Sequence, residues 1–419
     1  MRRKRLFVGF TAIVAMLTVV LSMTGTVSAQ ETLLLSFNYD NGDQPIAGLT
    51  IDGSGNLYGT TFYGGAEGNG MVFELSPGSG GWVETVLYSF TGNGPSPFFP
   101  NSSLIFDTAG NLYGTTFFGG AFGAGTVYEL SPTTGGNWIE RTLHSFGPNG
   151  GDGTYPHAHL MMDSSGNLYG TTGSGGAAGD GTVYEISPAT GGGWTEKVLH
   201  SFRGADGQNP FSSLILDGSG NLYGTTASGG GSSACTDGCG TVFELTPSGG
   251  KWTVKLLRSF NNTDGANPYG TLIFDSKGNL YGTASQGGPG NTGNVFELTP
   301  TPSGAWKEKI LHQFTSNGRD GINPSTNLIF GSSGNLYGTT PSGGARGQGT
   351  VFSLVPAAGG AWQERILYNF DSKDGNGSLP VPGLVIDGAG NLYGAAESGG
   401  GGSNPNCIGG CGAVFEIQR

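Results

Sequence analysis

The tetrapeptide Asn-Leu-Tyr-Gly recurs seven times, its Asn standing at Asn56, Asn111, Asn167, Asn221, Asn279, Asn335 and Asn391. Self-similarity at a period of about 56 residues admits only repeat architectures, because each unit must bury its apolar face against the next. Every period holds four short apolar runs. In the third they are residues 159–163, 167–172, 181–186 and 194–202, rich in β-branched and aromatic residues and parted by Gly, Pro, Asn and Ser. Such runs read as strands, here named a, b, c and d. Seven four-stranded units predict a β-propeller, whose blades are four-stranded sheets around a channel. The 83 glycines exclude a helical bundle, since Gly costs about 1 kcal/mol per helix-interior position relative to Ala. They follow no three-residue period, which excludes collagen.

The chain ends decide between an open stack and a closed ring. The seventh repeat has strands a, b and c, the last over residues 413–417, and no strand d. Residues 31–37 (Glu-Thr-Leu-Leu-Leu-Ser-Phe) match residues 84–90 (Glu-Thr-Val-Leu-Tyr-Ser-Phe) in register. A ring uses this orphan strand to complete its last blade and remove an exposed edge; an open stack has no use for it. The expected architecture is all-β: one closed seven-bladed propeller over residues 30–419. The N-terminal strand completes the last blade, and Gln418 and Arg419 lie beyond the final strand.

Residues 1–29 are set apart. Arg2, Arg3, Lys4 and Arg5 precede an apolar run from Leu6 to Leu21, and Val27-Ser28-Ala29 offers small residues for cleavage. This is the pattern of a secretory signal peptide, with a run shorter than the roughly 20 apolar residues of a membrane-spanning helix. Its removal takes four cations from a net charge of −12 and leaves −16. That balance argues against nucleic acid, whose phosphates are neutralised by Lys and Arg. A monomer without membrane insertion, exported to the periplasm or the exterior, is expected.

The strings Asn-Leu-Tyr-Gly-Thr-Thr and Gly-Thr-Val-Phe-Glu-Leu, joined by Gly-Gly-Ala loops, make residues 31–419 similar to the GloVer tandem repeat of exported bacterial proteins. The resemblance implies export and a repeat architecture, and brings no activity or catalytic residues. Members often carry a C-terminal anchoring signal, and none is read here.

What recurs in seven copies is expected to be scaffold. Asp52, Asp107, Asp163, Asp217, Asp275 and Asp387 each stand four residues before the repeat Asn, with Gly directly before that Asn. Asp capping its own turn and Gly at positive φ make a tight hairpin. A calcium loop is the other reading, but the ligand spacing and closing Glu of an EF-hand are missing. The six Trp residues and the Phe that ends each strand d read as packing between blades. A Pro ends every d–a loop, and these loops should share one face with the Gly-rich b–c loops. That acidic, loop-built face is where binding is expected.

Departures from the repeat carry more information. The b–c loops of the fourth and seventh repeats are longer than the rest and hold all four cysteines, as Cys235-x-x-x-Cys239 and Cys407-x-x-x-Cys411. In an exported protein these read as two local disulfides. A four-Cys zinc site would need both pairs together, and the two blades lie on opposite sides of the ring.

The segment Tyr155-Pro156-His157-Ala158-His159 breaks the pattern after its Pro, as Phe211 and Tyr269 do in the next two repeats. Two His residues at i and i+2 on a strand share a face and can hold a metal, although no third ligand is visible. Tyr155, His157, His159, Phe211 and Tyr269 are therefore the candidate binding residues. His144, His200 and His312, on the outer strand d, read as surface variation. No catalytic constellation is present, and the Gly-x-Gly strings join strand to strand rather than strand to helix, so no cofactor is expected. The expected function is a non-catalytic binding module for a glycan, peptide or protein; the other class is a metal-assisted hydrolase or lyase at His157 and His159.

Overall fold

Every repeat forms an antiparallel sheet in the order a-b-c-d, and seven sheets stand in a ring as the blades of a propeller. The computed structural model describes residues 29–148, 151–371, 375–401, 404–407 and 409–419. The expected signal peptide, residues 1–29, lies outside these but for Ala29. Blade 1 consists of Thr50–Ile51, Leu57–Thr61, Met71–Gly78 and Gly81–Ser89. Its strand b is buried throughout, because a blade is flanked by two others, whereas strand d on the rim alternates exposed and half-buried residues over its first five positions.

In blade 7, Val385–Ile386, Leu392–Ser398 and Ala413–Gln418 supply a, b and c, and Gln30–Ser36 supplies d. Leu33 lies opposite Phe415 and Leu35 opposite Val414, with a bulge between them. The ring is closed by its first strand, as the sequence register requires. The last strand outruns its expected end, however. Gln418 pairs with Gln30, and the Arg419 guanidinium lies 4.5 Å from the centre of the Tyr337 ring. A cation over a ring face is attractive by about 0.5–1 kcal/mol when exposed, and this contact holds the terminus against blade 6.

Each junction between blades has its own core. The Phe ending strand d meets the aromatic ring of strand c in the next blade: Phe90 to Tyr128 at 5.2 Å, Phe202 to Phe243 at 5.1 Å and Phe370 to Phe415 at 5.0 Å. Phe37 and Phe73 repeat the contact at 5.3 Å across the closing junction. Trp82 reaches back to Tyr393, and Trp194 to Tyr113, so these aromatics do pack between blades. The Gly of Asn-Leu-Tyr-Gly makes room for the strand c ring. A Cβ on Gly224 would stand 2.6 Å from Phe243, and one on Gly170 would stand 2.3 Å from the Tyr184 hydroxyl.

The turn reading of the recurrent Asp holds. Asp52 Oδ1 accepts hydrogen bonds from the amides of Ser54 and Asn56, and Oδ2 accepts from Asn56 Nδ2 and the Tyr58 hydroxyl. Burial opposes its charge, but these donors outweigh burial and hold the carboxyl below the usual carboxylate range. The first Thr of Thr-Thr has a second task. Thr171 Oγ1 donates to the Ser212 carbonyl at 3.0 Å and Thr283 Oγ1 to that of Thr326 at 3.0 Å, linking each blade to the channel segment of the next.

Candidate functional site: the central cavity

Strand a is interrupted where it nears the axis. In blade 2, Pro100 lies opposite Thr116 and Ile105 opposite Tyr113. Four residues of the a side thus face only two on strand b, and the surplus bows towards the channel. Blade 3 does the same between Pro156 and Met161. The residue before each of these prolines is left-handed: Gln44, Phe99, Tyr155, Asn209, Asn267, Asn323 and Leu379 have φ between 51° and 59°. This is costly for residues other than Gly, and a following Pro favours extended backbone. Each is held by donating its N–H to a carbonyl in the b–c loop of the preceding blade, as Phe99 does to Asn69 at 2.9 Å and Tyr155 to Ala124 at 2.8 Å. The d–a and b–c loops therefore do share one face and are bonded together there.

The residues after the prolines enclose a cavity of about 450 Å³ on the axis, within the range of small-molecule sites. His157, His159, Phe211 and Tyr269 line it together with Asn101, Ser103, Ser213, Thr271, Ser325 and Asn327. No Asp, Glu, Lys or Arg is among its lining residues. The expectation of an acidic binding face is thus corrected at its centre, because the d–a turn carboxylates lie elsewhere and are engaged by rim residues such as His144 and Arg258.

One side of the mouth is aromatic. Tyr269 stacks on Phe211 with centroids 5.7 Å apart and planes at 14°. Phe211 meets His157 edge-on at 5.2 Å, and His157 meets Phe117 at 6.3 Å. Phe117 stacks on Tyr155 at 5.1 Å, and Phe62, which stacks on Phe99, continues the line from blade 1. Gly173 leaves the space in which the Phe211 ring lies, since a Cβ there would stand 2.4 Å from that ring. The arc spans blades 1 to 5.

Both His residues thus face the cavity, but not as members of a strand. The strand Gly153–Pro156 ends before them, and they reach the axis from the bowed segment. Surrounding chain disfavours the imidazolium, lowering the pKa of His157 and taking that of His159 down to about 4. Among the described residues, no group of three His, Cys, Asp or Glu ligand atoms includes either ring. Tyr155 lies on the loop face against Phe117 rather than in the cavity wall. Phe62, Phe99 and Phe117 were not anticipated. Phe62 and Phe117 follow Thr-Thr directly, where other repeats carry Gly173, Ala227, Ser285, Pro341 and Glu397, and that variation was the available signal.

The cysteines form the two local disulfides, Cys235–Cys239 and Cys407–Cys411. Cys239 and Cys411 are themselves carbonyl acceptors for the next left-handed residue, Asn267 and Gln44 respectively. The bridges brace the two longest b–c loops at the point where they grip a neighbour. The outer histidines are not mere surface variation. His144, His200 and His312 are half-buried and engage the turn carboxylates of Asp152, Asp206 and Asp320.

The sequence profile of the Gloeobacter/Verrucomicrobia repeat matches residues 18–236 and again 232–419, and the chain belongs to that family. No curated protein matches it. Among solved structures, a protein from Lactobacillus plantarum is similar at 15% identity and a TM-score of 0.53, over 81% of this chain and 88% of that one. A candidate 6-phosphogluconolactonase from Bacteroides fragilis is similar at 15% identity and a TM-score of 0.50, over 81% and 95%. At such identity the likeness shows the fold alone.

Proposed function

We propose that this member of the Gloeobacter/Verrucomicrobia repeat family is an exported, monomeric binding module, freed of residues 1–29, whose axial cavity takes a neutral glycan. The observation that carries the reading is an arc of solvent-facing aromatic rings, with Tyr269 39% exposed, opposite a wall of hydroxyl and amide groups with no charged residue among the described residues. A pyranose presents an apolar C–H face that a ring can cover and edge hydroxyls that Ser, Thr and Asn can bond. A charged ligand would meet no counter-charge among the described lining residues. The substrate implied by the name of the Bacteroides fragilis protein carries a phosphate, and neither Lys nor Arg lines this cavity.

The reading is tested by titrating neutral oligosaccharides of several linkages in a calorimeter, beside charged glycans and unstructured peptides. Removing Phe211 or Tyr269 to Ala should weaken the neutral ligand about 10- to 100-fold, the loss of one ring's burial. Preference for a peptide or an acidic glycan, or indifference to both substitutions, overturns the proposal. The metal-assisted hydrolase or lyase has only His157 and His159 in its favour. It requires product release from the same mixtures, lost in a His157→Ala, His159→Ala double variant.

A further inference from the structure

Three blade junctions carry the same frame on the rim of the ring, filled by Arg at one and by His at two, and a fourth carries it short of one carboxylate. A d–a turn contributes an Asp, strand d of the following blade contributes a carboxylate, and strand d of the preceding blade places a residue between them. At the junction of blades 4 and 5 the occupant is a permanent cation: Arg258 Nη2 contacts Asp264, and Glu308 at 2.6 Å. Between blades 2 and 3 the occupant is His144, 3.2 Å from Asp152, with Glu196 completing the group. Between blades 5 and 6 it is His312, 3.4 Å from Asp320 Oδ2 and 3.8 Å from Glu364 Oε1. Between blades 3 and 4, His200 meets Asp206 at 2.9 Å, but Val254 stands where the Glu would be.

Arg258 supplies a fixed charge to its two carboxylates. A neutral imidazole supplies none, although the carboxylates around His144 and His312 are retained. Glu196 Oε1 is sealed from solvent without a hydrogen-bond partner among the described residues, and Asp320 is only 7% exposed. Carboxylates crowded together and mostly withdrawn from solvent call for a cation or a shared proton between them. In both His groups the three ligand atoms lie within 4.8 Å of one another. Ligands bound tetrahedrally at about 2.0–2.2 Å stand roughly 3.3–3.6 Å apart, so small side-chain movements suffice. The imidazoles remain about one-fifth exposed, at 21% and 18%, which leaves a way in for an ion and its water.

We propose that His144, Asp152 and Glu196, and again His312, Asp320 and Glu364, are two rim sites for a divalent transition-metal ion. One imidazole nitrogen and two carboxylate oxygens form a donor set suited to Zn2+ and its neighbours. The ion does at these junctions what the Arg258 guanidinium does at its own, bridging carboxylates of successive blades. The group of Asp43 with Cys407 and Cys411 is different in kind, since its sulfurs are joined in a disulfide.

The test is to strip the full exported protein with a chelator, load it with Zn2+, desalt it and count the metal by elemental mass spectrometry. The expected count is two per chain, one in either His144→Ala or His312→Ala, and none in the double variant, with circular dichroism confirming that each is folded. Val254→Glu supplies the missing carboxylate beside His200 and Asp206 and should raise the count to three. A wild-type count of zero, or one that survives the double substitution, overturns the proposal. An unchanged count in folded Val254→Glu overturns the assignment of the strand d carboxylate as a ligand.

Discussion

The backbone N–H of Gln44 donates to the carbonyl of Cys411 at 2.9 Å. The first d–a loop is thereby fastened to the last b–c loop, as every other blade is fastened to its predecessor. The ring closes twice, once through the ladder between Gln30–Ser36 and Ala413–Gln418 and once through this loop bond.

Deleting residues 30–37 removes one strand and the Phe37 ring, and exposes the edge of Ala413–Gln418. Such an edge invites pairing between chains. A large fall in melting temperature with association is expected in thermal melts and size-exclusion chromatography. Deleting Gln418 and Arg419 removes one residue pair and the contact with Tyr337, so a small fall is expected. Equal behaviour of the two truncations would show that the first strand is not the clasp.

Tyr128 and Tyr184 occupy strand c positions that hold Phe in the other five blades, and neither hydroxyl has a hydrogen-bond partner among the described residues. A buried unpaired polar group costs about 1–3 kcal/mol. Tyr184→Phe should therefore raise the unfolding free energy by about 1 kcal/mol in urea titrations, with Tyr128→Phe adding a similar amount. A loss of stability would mean that the hydroxyl is engaged.

Asp43 is 4% exposed. Burial, and secondarily the charge of Glu397, push its pKa up to about 6 against the pull of the Gln44 amide. A raised carboxyl destabilises the fold above its folded pKa, where it is charged, and ceases to do so below its unfolded value of 3.8. Asp43→Asn should stabilise by about 1–3 kcal/mol at pH 8 and by almost nothing at pH 3.5. Melting curves across that range check the sign.

Non-reducing peptide mapping should find Cys235 with Cys239 and Cys407 with Cys411, and no cross-pair. Each bridge closes so short a loop that the chain-entropy estimate is only about 2 kcal/mol. Cys235→Ser with Cys239→Ser should lower stability by that order in chemical denaturation and leave the sheet spectrum intact. Unfolding of the whole ring would mean that the bridge positions the grip on Asn267 rather than merely shortening a loop.

The closure was legible because the repeat contains its own template: residues 84–90 show what residues 31–37 must do. His157, Phe211 and Tyr269 were legible as departures at one position of that template. Phe62 and Phe117 were not, because an aromatic after Thr-Thr looks like one more strand residue. Left-handed backbone at Phe99, Tyr155 and Leu379 was equally hidden, since bulky residues seldom adopt it without a neighbour to hold them. The rim groups escaped because Glu196 and Glu364 sit a full repeat beyond the histidines they face, and only the stacking of blades brings them together.

The pairing of Gln30 with Gln418 also sets an order in time. At a synthesis rate of about 5–20 residues per second, the first strand waits roughly 20–80 seconds for its partner to exist. Throughout that interval its apolar leucines are unpaired, and the six complete blades form an arc with two open ends. A ring that locks only on its last strand therefore closes at the latest step of its assembly, whatever the order in which the blades themselves form.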